Sequence, residues 1–420
     1  MLNRREFFAA TGAGLLAAQT GLLAQQPKKK KRLAVVTTLW TYKSHAWHMA
    51  ERFLHGYPIE GKWHESGLEV VSAYVDQRPD GDLSGQRSKE FGFPIFPTVA
   101  EALRCGGDKL NVDAVLLIGE HGDYPKNEFG QKLYPRYELF SKITDVFRKD
   151  KVSVPVFNDK HLSWNFDYAK KMVNTSKELG FAFQAGSSLP VTWRMPSVDM
   201  PYGAEVTEAM GIANGPIDIY DFHAMEMIQS MLERRKGGET GVQKVMALRG
   251  TELWQAMDGG QLPGNGWPLE LFEACLSRSQ TLAQSASFSH RYPTEEQIRE
   301  KVKDPIYYWI KYRDNTTAHL LLLNGLVGDF TFAAQIKGRK KPLSTLFYLP
   351  PNPNVTYSSA LMHNAEKMFL TGEAQHPIER TLLTSGVIQS CIQALKKGGG
   401  TTPHLNVKYT ATRMSPFLKS

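Results

Sequence analysis

Four short apolar runs rich in β-branched residues, each followed by a stretch with helical spacing, constrain this chain more than any other feature. "RLAVVTTLW" leads into "SHAWHMAERFLHGY", where Ala46, Met49, Phe53 and Leu54 recur at helical intervals. "LEVVSAYVD" precedes "FPTVAEALRCGG", a short helix with a glycine stop, and "VDAVLLIGEH" precedes "YPRYELFSKITDVFRKD". "VSVPVFND" then runs into "FDYAKKMVNTSKELG", whose helix should stop at Gly180. Strands joined through helices need right-handed crossovers, and these build a parallel sheet. The expected class is α/β, with a Rossmann-like parallel-sheet domain over residues 33–166.

A single core stops growing at roughly 250–300 residues, so a chain of 420 should carry a second domain. From "GPIDIYDFHAMEMIQSMLERR" onward the pattern changes. "TTAHLLLLNG", "DFTFAAQIKG" and "LSTLFYLPP" read as successive antiparallel strands, with Asn324-Gly325 and Lys337-Gly338 as turn residues. Residues 167–420 are therefore expected to form an α+β substrate domain on a largely antiparallel open sheet. That sheet is also the expected surface for any homo-oligomer.

The net charge of +8 suggests a polyanionic partner, but five of the positive charges are the run Lys28 to Arg32. The rest is only mildly basic, so nucleic acid is not an expected partner. Before the run, "NRREFFAATGAGLLAAQTGLLAQQ" resembles a twin-arginine export signal, with Arg4, Arg5 and Phe7 ahead of a weakly apolar stretch. It departs from the pattern at Asn3 and in having no clean Ala-x-Ala before Gln25 or Gln26. The resemblance implies a signal and basic linker over residues 1–32, passage through the twin-arginine translocon, and a periplasmic or other extracytoplasmic location. The alternative is an amphipathic N-terminal helix. Cys105, Cys275 and Cys391 are widely spaced and odd in number, which signals neither a disulfide framework nor a zinc-thiolate site.

A dinucleotide fold places Gly-x-Gly-x-x-Gly after its first strand so that the backbone can approach a pyrophosphate. Here the position reads "TTLWTYKSHAWH", without a glycine. NAD or NADP stays open as a cofactor, with Ser44 at the helix start, Asp76 at the end of the second strand and His121 as candidate contacts. The third strand ends in "IGEHGDYP", which puts Glu120, His121 and Asp123 within four residues. All three can ligate a divalent metal or move protons. The alternative is a solvated loop. His45 and His48, three apart, could approach the same crevice or sit as ordinary helix histidines.

The fourth strand ends in "FNDKH". "DAVLLIGEH", a helix, and then "VPVFNDKHLSWNFDYAKKMVNTSKELGFAFQAG" resembles the Gfo/Idh/MocA family of sugar and inositol dehydrogenases. That family carries a Glu-Lys-Pro segment at this strand end. Asp159 stands for the Glu, Lys160 for the Lys and His161 for the Pro. "GPIDIYDFHAMEMIQSMLE" is similar to the family's lead into a histidine and a helix, and puts His223 on that histidine. The resemblance implies that Lys160 and His223 flank the substrate carbon, with Asp159 beside them, and that His223 serves as acid/base. Structural ion pairing of Lys160 and core packing of His223 are the alternatives.

Between these segments "GSSLPVTWRMP" offers Trp193 as an aromatic platform and Arg194 as a cation, which with His161 are the candidate substrate contacts. Trp193 and Arg194 could equally seal a domain interface. No Gly-x-Ser-x-Gly and no His-Glu-x-x-His occurs, which argues against serine hydrolases and zincins. The sequence thus points to an exported enzyme acting on a carbohydrate or polyol. It would work by nicotinamide-dependent oxidoreduction or by metal- or acid/base-assisted lyase, epimerase or hydrolase chemistry. The alternative is a non-catalytic exported sugar-binding protein that has lost the cofactor.

Overall fold

Strand β1 (Lys31–Thr37) begins inside the basic run and is buried from Leu33 onward. The computed structural model describes residues 29–263, 266–283 and 292–419, so Arg4, Arg5 and the expected signal lie outside the described residues. From β1 the chain passes through two one-turn helices, α1 (His45–Met49) and α2 (Glu51–His55), and a hairpin, β2 (Tyr57–Ile59) with β3 (Lys62–His64), to β4 (Leu68–Val75). Two further helices follow, α3 (Ser84–Phe91) and α4 (Val99–Arg104). Then come β5 (Ala114–Ile118), α5 (Arg136–Asp150), β6 (Val156–Asp159), α6 (Phe166–Leu179) and β7 (Phe183–Gly186).

Five of these strands form one parallel sheet in the order β4-β1-β5-β6-β7. All five residues of β5 are buried, as a parallel strand covered by helices on both faces requires. Helix α6 starts where Asn165 accepts hydrogen bonds from the amides of Asp167 and Tyr168, and it stops at Gly180 with φ of 69°. Such a cap contributes about 1 kcal/mol. The strand order reverses between β1 and β5, and crevices for ligands open at that place, at the carboxyl ends of the strands.

The remaining strands are β8 (Trp193–Met195), β9 (Val206–Ala213), β10 (Val242–Arg249), β11 (Ile306–Tyr312), β12 (Thr317–Leu322), β13 (Phe330–Ile336), β14 (Leu343–Tyr348) and β15 (Gly400–Thr401). They make an eight-stranded, mostly antiparallel sheet in the order β15-β10-β11-β12-β9-β13-β14-β8. The α/β class, parallel sheet first and antiparallel sheet second, is as the sequence implies. One expectation is corrected: β12 and β13 are not paired neighbours. Strand β9 lies between them, parallel to β12 and antiparallel to β13. Its last five residues are all buried, and the turn residue Asn324 binds Gly215 just beyond its end instead of closing a hairpin. The turn at Gly338, with φ of 83°, does join the antiparallel pair β13 and β14.

Helices α7 (Tyr220–Leu232) and α12 (Glu379–Lys397) pack on one face of this sheet and share a continuous core with the first sheet. On the other face, Met210, Ile212, Tyr307, Leu321 and Ala333 meet α8 (Thr251–Asp258), α9 (Leu269–Leu276) and α10 (Glu295–Lys301). Helix α11 (Tyr357–Thr371) returns to the first sheet, where Ala365, Met368 and Phe369 join the core around Leu33 and Val35. Among the described residues no helix is long and apolar enough to cross a membrane.

Candidate active site

The carboxyl ends of β5, β6 and β7 deliver Glu120-His121, Asp159-Lys160 and Ser187-Ser188 to one cleft of about 310 Å³. His45 and His48 reach it from α1, Tyr220 and His223 from α7, and Tyr357 from α11. Two of these residues hold a left-handed backbone, His121 with φ of 69° and Lys160 with φ of 57°. Side chains other than glycine rarely adopt it, and such strain gathers where the surrounding structure must aim a side chain. The Lys160 amide donates to the Gly186 carbonyl at 3.1 Å, tying the ends of β6 and β7 together. Gly186 is required there: its φ is 135°, and an added Cβ would lie 2.7 Å from Oε2 of Glu226. That same oxygen accepts the Ser187 amide at 2.8 Å.

Charge is arranged in two groups. In the first, Lys160 Nζ donates to Glu120 Oε1 at 3.2 Å, Arg136 donates to the other carboxylate oxygen, and Arg136 Nη1 meets His161 Nε2 at 3.2 Å. Burial alone would raise the Glu120 pKa, but the Lys160 and Arg136 cations hold it well below the usual carboxylate range. In the second, His45 Nδ1 and Asp159 Oδ2 lie 2.6 Å apart. Burial, and then the Glu120 charge, push Asp159 up to about 6. Burial, then Lys160 and His121, hold His45 well below 6.5. The directions agree on one state at neutral pH, an ionised Asp159 accepting the Nδ1 proton of a neutral His45. Nε2 is then left as a base.

The imidazole rings of His48 and His121 stand 4.7 and 4.9 Å from that of His45. Desolvation lowers the pKa of both, and of His223. Five buried polar atoms on the cleft wall have no protein hydrogen-bond partner: His48 Nδ1, His121 Nε2, Asp159 Oδ1, Ser187 Oγ and His223 Nδ1. Buried polar groups are otherwise nearly always bonded, so this concentration fits a ligand rich in hydroxyls.

Of the residues singled out in the sequence, Glu120, His121, Asp159, Lys160 and His223 come together in the cleft. His161 lies behind it, buried against Phe222 and Arg136. Ser44 caps α1, its Oγ accepting from the amides of Thr41 and Trp47. Asp76 accepts the hydroxyls of Tyr74 and Tyr124 at 2.7 and 2.6 Å. Trp193 and Arg194 are not brought to the cleft. The Arg194 guanidinium lies over the rings of Phe347 and Phe417 and pairs with Asp199 at 2.6 Å, while Trp193 packs edge-on to Tyr348. The expected metal set does not converge either. Glu120 is engaged by two cations and Asp123 is exposed with its backbone tied to Gln77. Among the described residues no group of three or more His, Cys, Asp or Glu is placed to hold a metal ion.

Sequence reasoning missed Tyr357, Arg136 and Glu226. Only Glu226 left a local signal, a carboxylate set in the apolar stretch "HAMEMI". The loop after β1 carries no glycine and is filled by a side chain. Trp40 is fully buried in the loop, stacks on Phe93 and donates to Glu51 at 3.1 Å. The amides of Thr38, Thr41 and Ser44 are bonded within the protein.

No protein-family model matches the chain, and no curated protein matches it. Solved structures do. Apo scyllo-inositol dehydrogenase from Lactobacillus casei aligns with a TM-score of 0.54 at 11% identity, over 89% of this chain and 98% of its own. GenD2 from gentamicin A biosynthesis, in complex with NAD, gives 0.54 at 12%, over 93% and 99%. Myo-inositol dehydrogenase from Lactobacillus casei, in complex with NAD(H) and myo-inositol, gives 0.51 at 12%, over 91% and 99%. At this identity the likeness is one of architecture: the chain has the fold of the Gfo/Idh/MocA-type inositol dehydrogenases.

Proposed function

We propose that the cleft binds a carbohydrate or polyol and moves a proton on it, which makes the protein an epimerase or lyase on a dehydrogenase fold. The observation that carries this reading is the buried Asp159–His45 pair, flanked by polar atoms without protein partners. His45 Nε2 takes a proton from the carbon beside a carbonyl of the ligand, and the C–H electron pair passes into an enolate with its charge on the carbonyl oxygen. The Asp159 carboxylate stabilises the imidazolium that forms. Lys160 stands where it can meet the negative charge left on a ligand oxygen. Its pairing with Glu120 fixes the ammonium in place.

Incubation with inositols, keto-inositols and free sugars in D₂O, followed by proton NMR, tests the reading. Solvent deuterium should enter a C–H position of at least one compound, and should fail to do so with His45→Ala. Absence of exchange across the panel would sink it.

A second reading, nicotinamide-dependent oxidoreduction, is favoured by the neighbour solved with NAD(H) and myo-inositol together with Lys160 at the end of β6. Mass spectrometry of natively purified protein separates the two, because a stoichiometric NAD(H) or NADP(H) would favour hydride transfer. We also propose export through the twin-arginine translocon, on the strength of Arg4, Arg5 and Phe7.

A further inference from the structure

Outside the cleft, a second cavity of about 530 Å³ opens directly beside it. The two share a wall made of Tyr220, Phe330, Leu349 and Tyr357. Tyr220 and Phe330 stack with an interplanar angle of 14°, and Tyr220 is exposed. Past this wall the groove runs along Tyr348 and Pro350, with the carboxamides of Asn214, Gln280 and Asn352 lining it. A sugar ring suits such a lining, since its C–H face packs on an aromatic ring while its hydroxyls bond carboxamides.

Charge narrows the class. Among the described residues, no Lys, Arg or His lines the groove. The one charged side chain there among the described residues, Asp329, is engaged by the hydroxyl of Ser279 and the amide of Gln280. Among the described residues a phosphate or uronate would find no counter-ion in the groove, whereas a neutral sugar needs none. The shared aromatic wall sets the direction of the ligand, with a terminal residue at Asp159 and Lys160 and the remainder lying outward over Tyr220 and Tyr348.

We infer that the substrate is a neutral oligosaccharide or glycoside, its reacting terminal unit in the cleft and its next one or two units in this groove. The inference rests on the carbohydrate reading of the cleft and adds to it the length and charge of the ligand.

Titration calorimetry of the purified protein against glucose, galactose and myo-inositol, and against cellotriose, maltotriose, raffinose and trigalacturonate, tests it. At least one neutral trisaccharide should bind about tenfold more tightly than any of the single-ring compounds, the scale of one aromatic contact. Tyr348→Ala should collapse that ratio while Tyr348→Phe retains it, with both variants checked for an unchanged unfolding transition. If single rings bind and no trisaccharide binds more tightly, or if Tyr348→Ala leaves the ratio intact, the groove assignment fails and the cleft reading stands. Preference for trigalacturonate overturns the neutral class. If no compound of either length binds, both readings fall together.

Discussion

His45 on α1 and Asp159 at the end of β6 meet through a 2.6 Å contact between Nδ1 and Oδ2, although 114 residues separate them in sequence. The ring therefore presents Nε2 to the cleft in one fixed tautomer. Asp159→Asn should leave ligand affinity within a few-fold and lower the rate of solvent deuterium exchange by roughly 10²–10⁴. A rate within a factor of three of the parent would remove Asp159 from the chemistry.

The same pair sets a pH dependence. Asp159 is pushed up to about 6 by burial, so below that pH it carries a proton and no longer accepts from His45. Exchange should rise with pH through about 6 and then level off. A pH profile measured between 4.5 and 8 should show that inflection in the parent and lose it in Asp159→Asn.

Glu226 gives a stability prediction. Burial raises its pKa from 4.5 to about 7, against the opposing effect of Arg380. The folded state thus binds this proton more tightly than the unfolded state. Its destabilising contribution begins as pH rises above 4.5 and is complete above 7. Glu226→Gln keeps an acceptor for the Ser187 amide and removes the buried charge. It should stabilise the protein by about 1–3 kcal/mol at pH 8 and have little effect at pH 4.5. Chemical denaturation at the two pH values reads the difference; an equal effect at both would refute it.

Gly186→Ala introduces a Cβ against the Glu226 carboxylate at a backbone φ of 135°. The expected cost is about 1–3 kcal/mol of stability. Because the Gly186 carbonyl holds the Lys160 amide, ligand affinity should fall beyond what a merely destabilised but folded protein shows. Calorimetric titration well below the unfolding temperature separates the two effects.

Replacing Arg4 and Arg5 together by Lys should hold the protein in the cytoplasm of its host, as read by fractionation and immunoblotting. Unchanged extracytoplasmic accumulation would exclude the twin-arginine route.

Local pattern made much of the fold legible. β5 announces itself through its unbroken apolar run, and α6 through its helical spacing and the stop at Gly180. Glu120, His121, Asp159 and Lys160 were readable for the same reason, since residues just past an apolar strand fall at the sheet's carboxyl edge. What stayed hidden depends on contacts distant in sequence. The insertion of β9 between β12 and β13 joins Glu208 to Thr317, and neither segment encodes the other's position. Arg194 read as a ligand cation because Phe347 and Phe417, which enclose it, lie far along the chain. The partnership of His45 with Asp159 was invisible on the same ground.

The helices that cover the outer face of the second sheet decide what buries its apolar surface. Apolar sheet surface can be shielded by a second copy or by the chain itself, and here Leu253, Leu271, Phe272 and Ile298 shield it from within. The burial of Met210, Ile212 and Leu321 on this face is thus supplied by the chain's own helices.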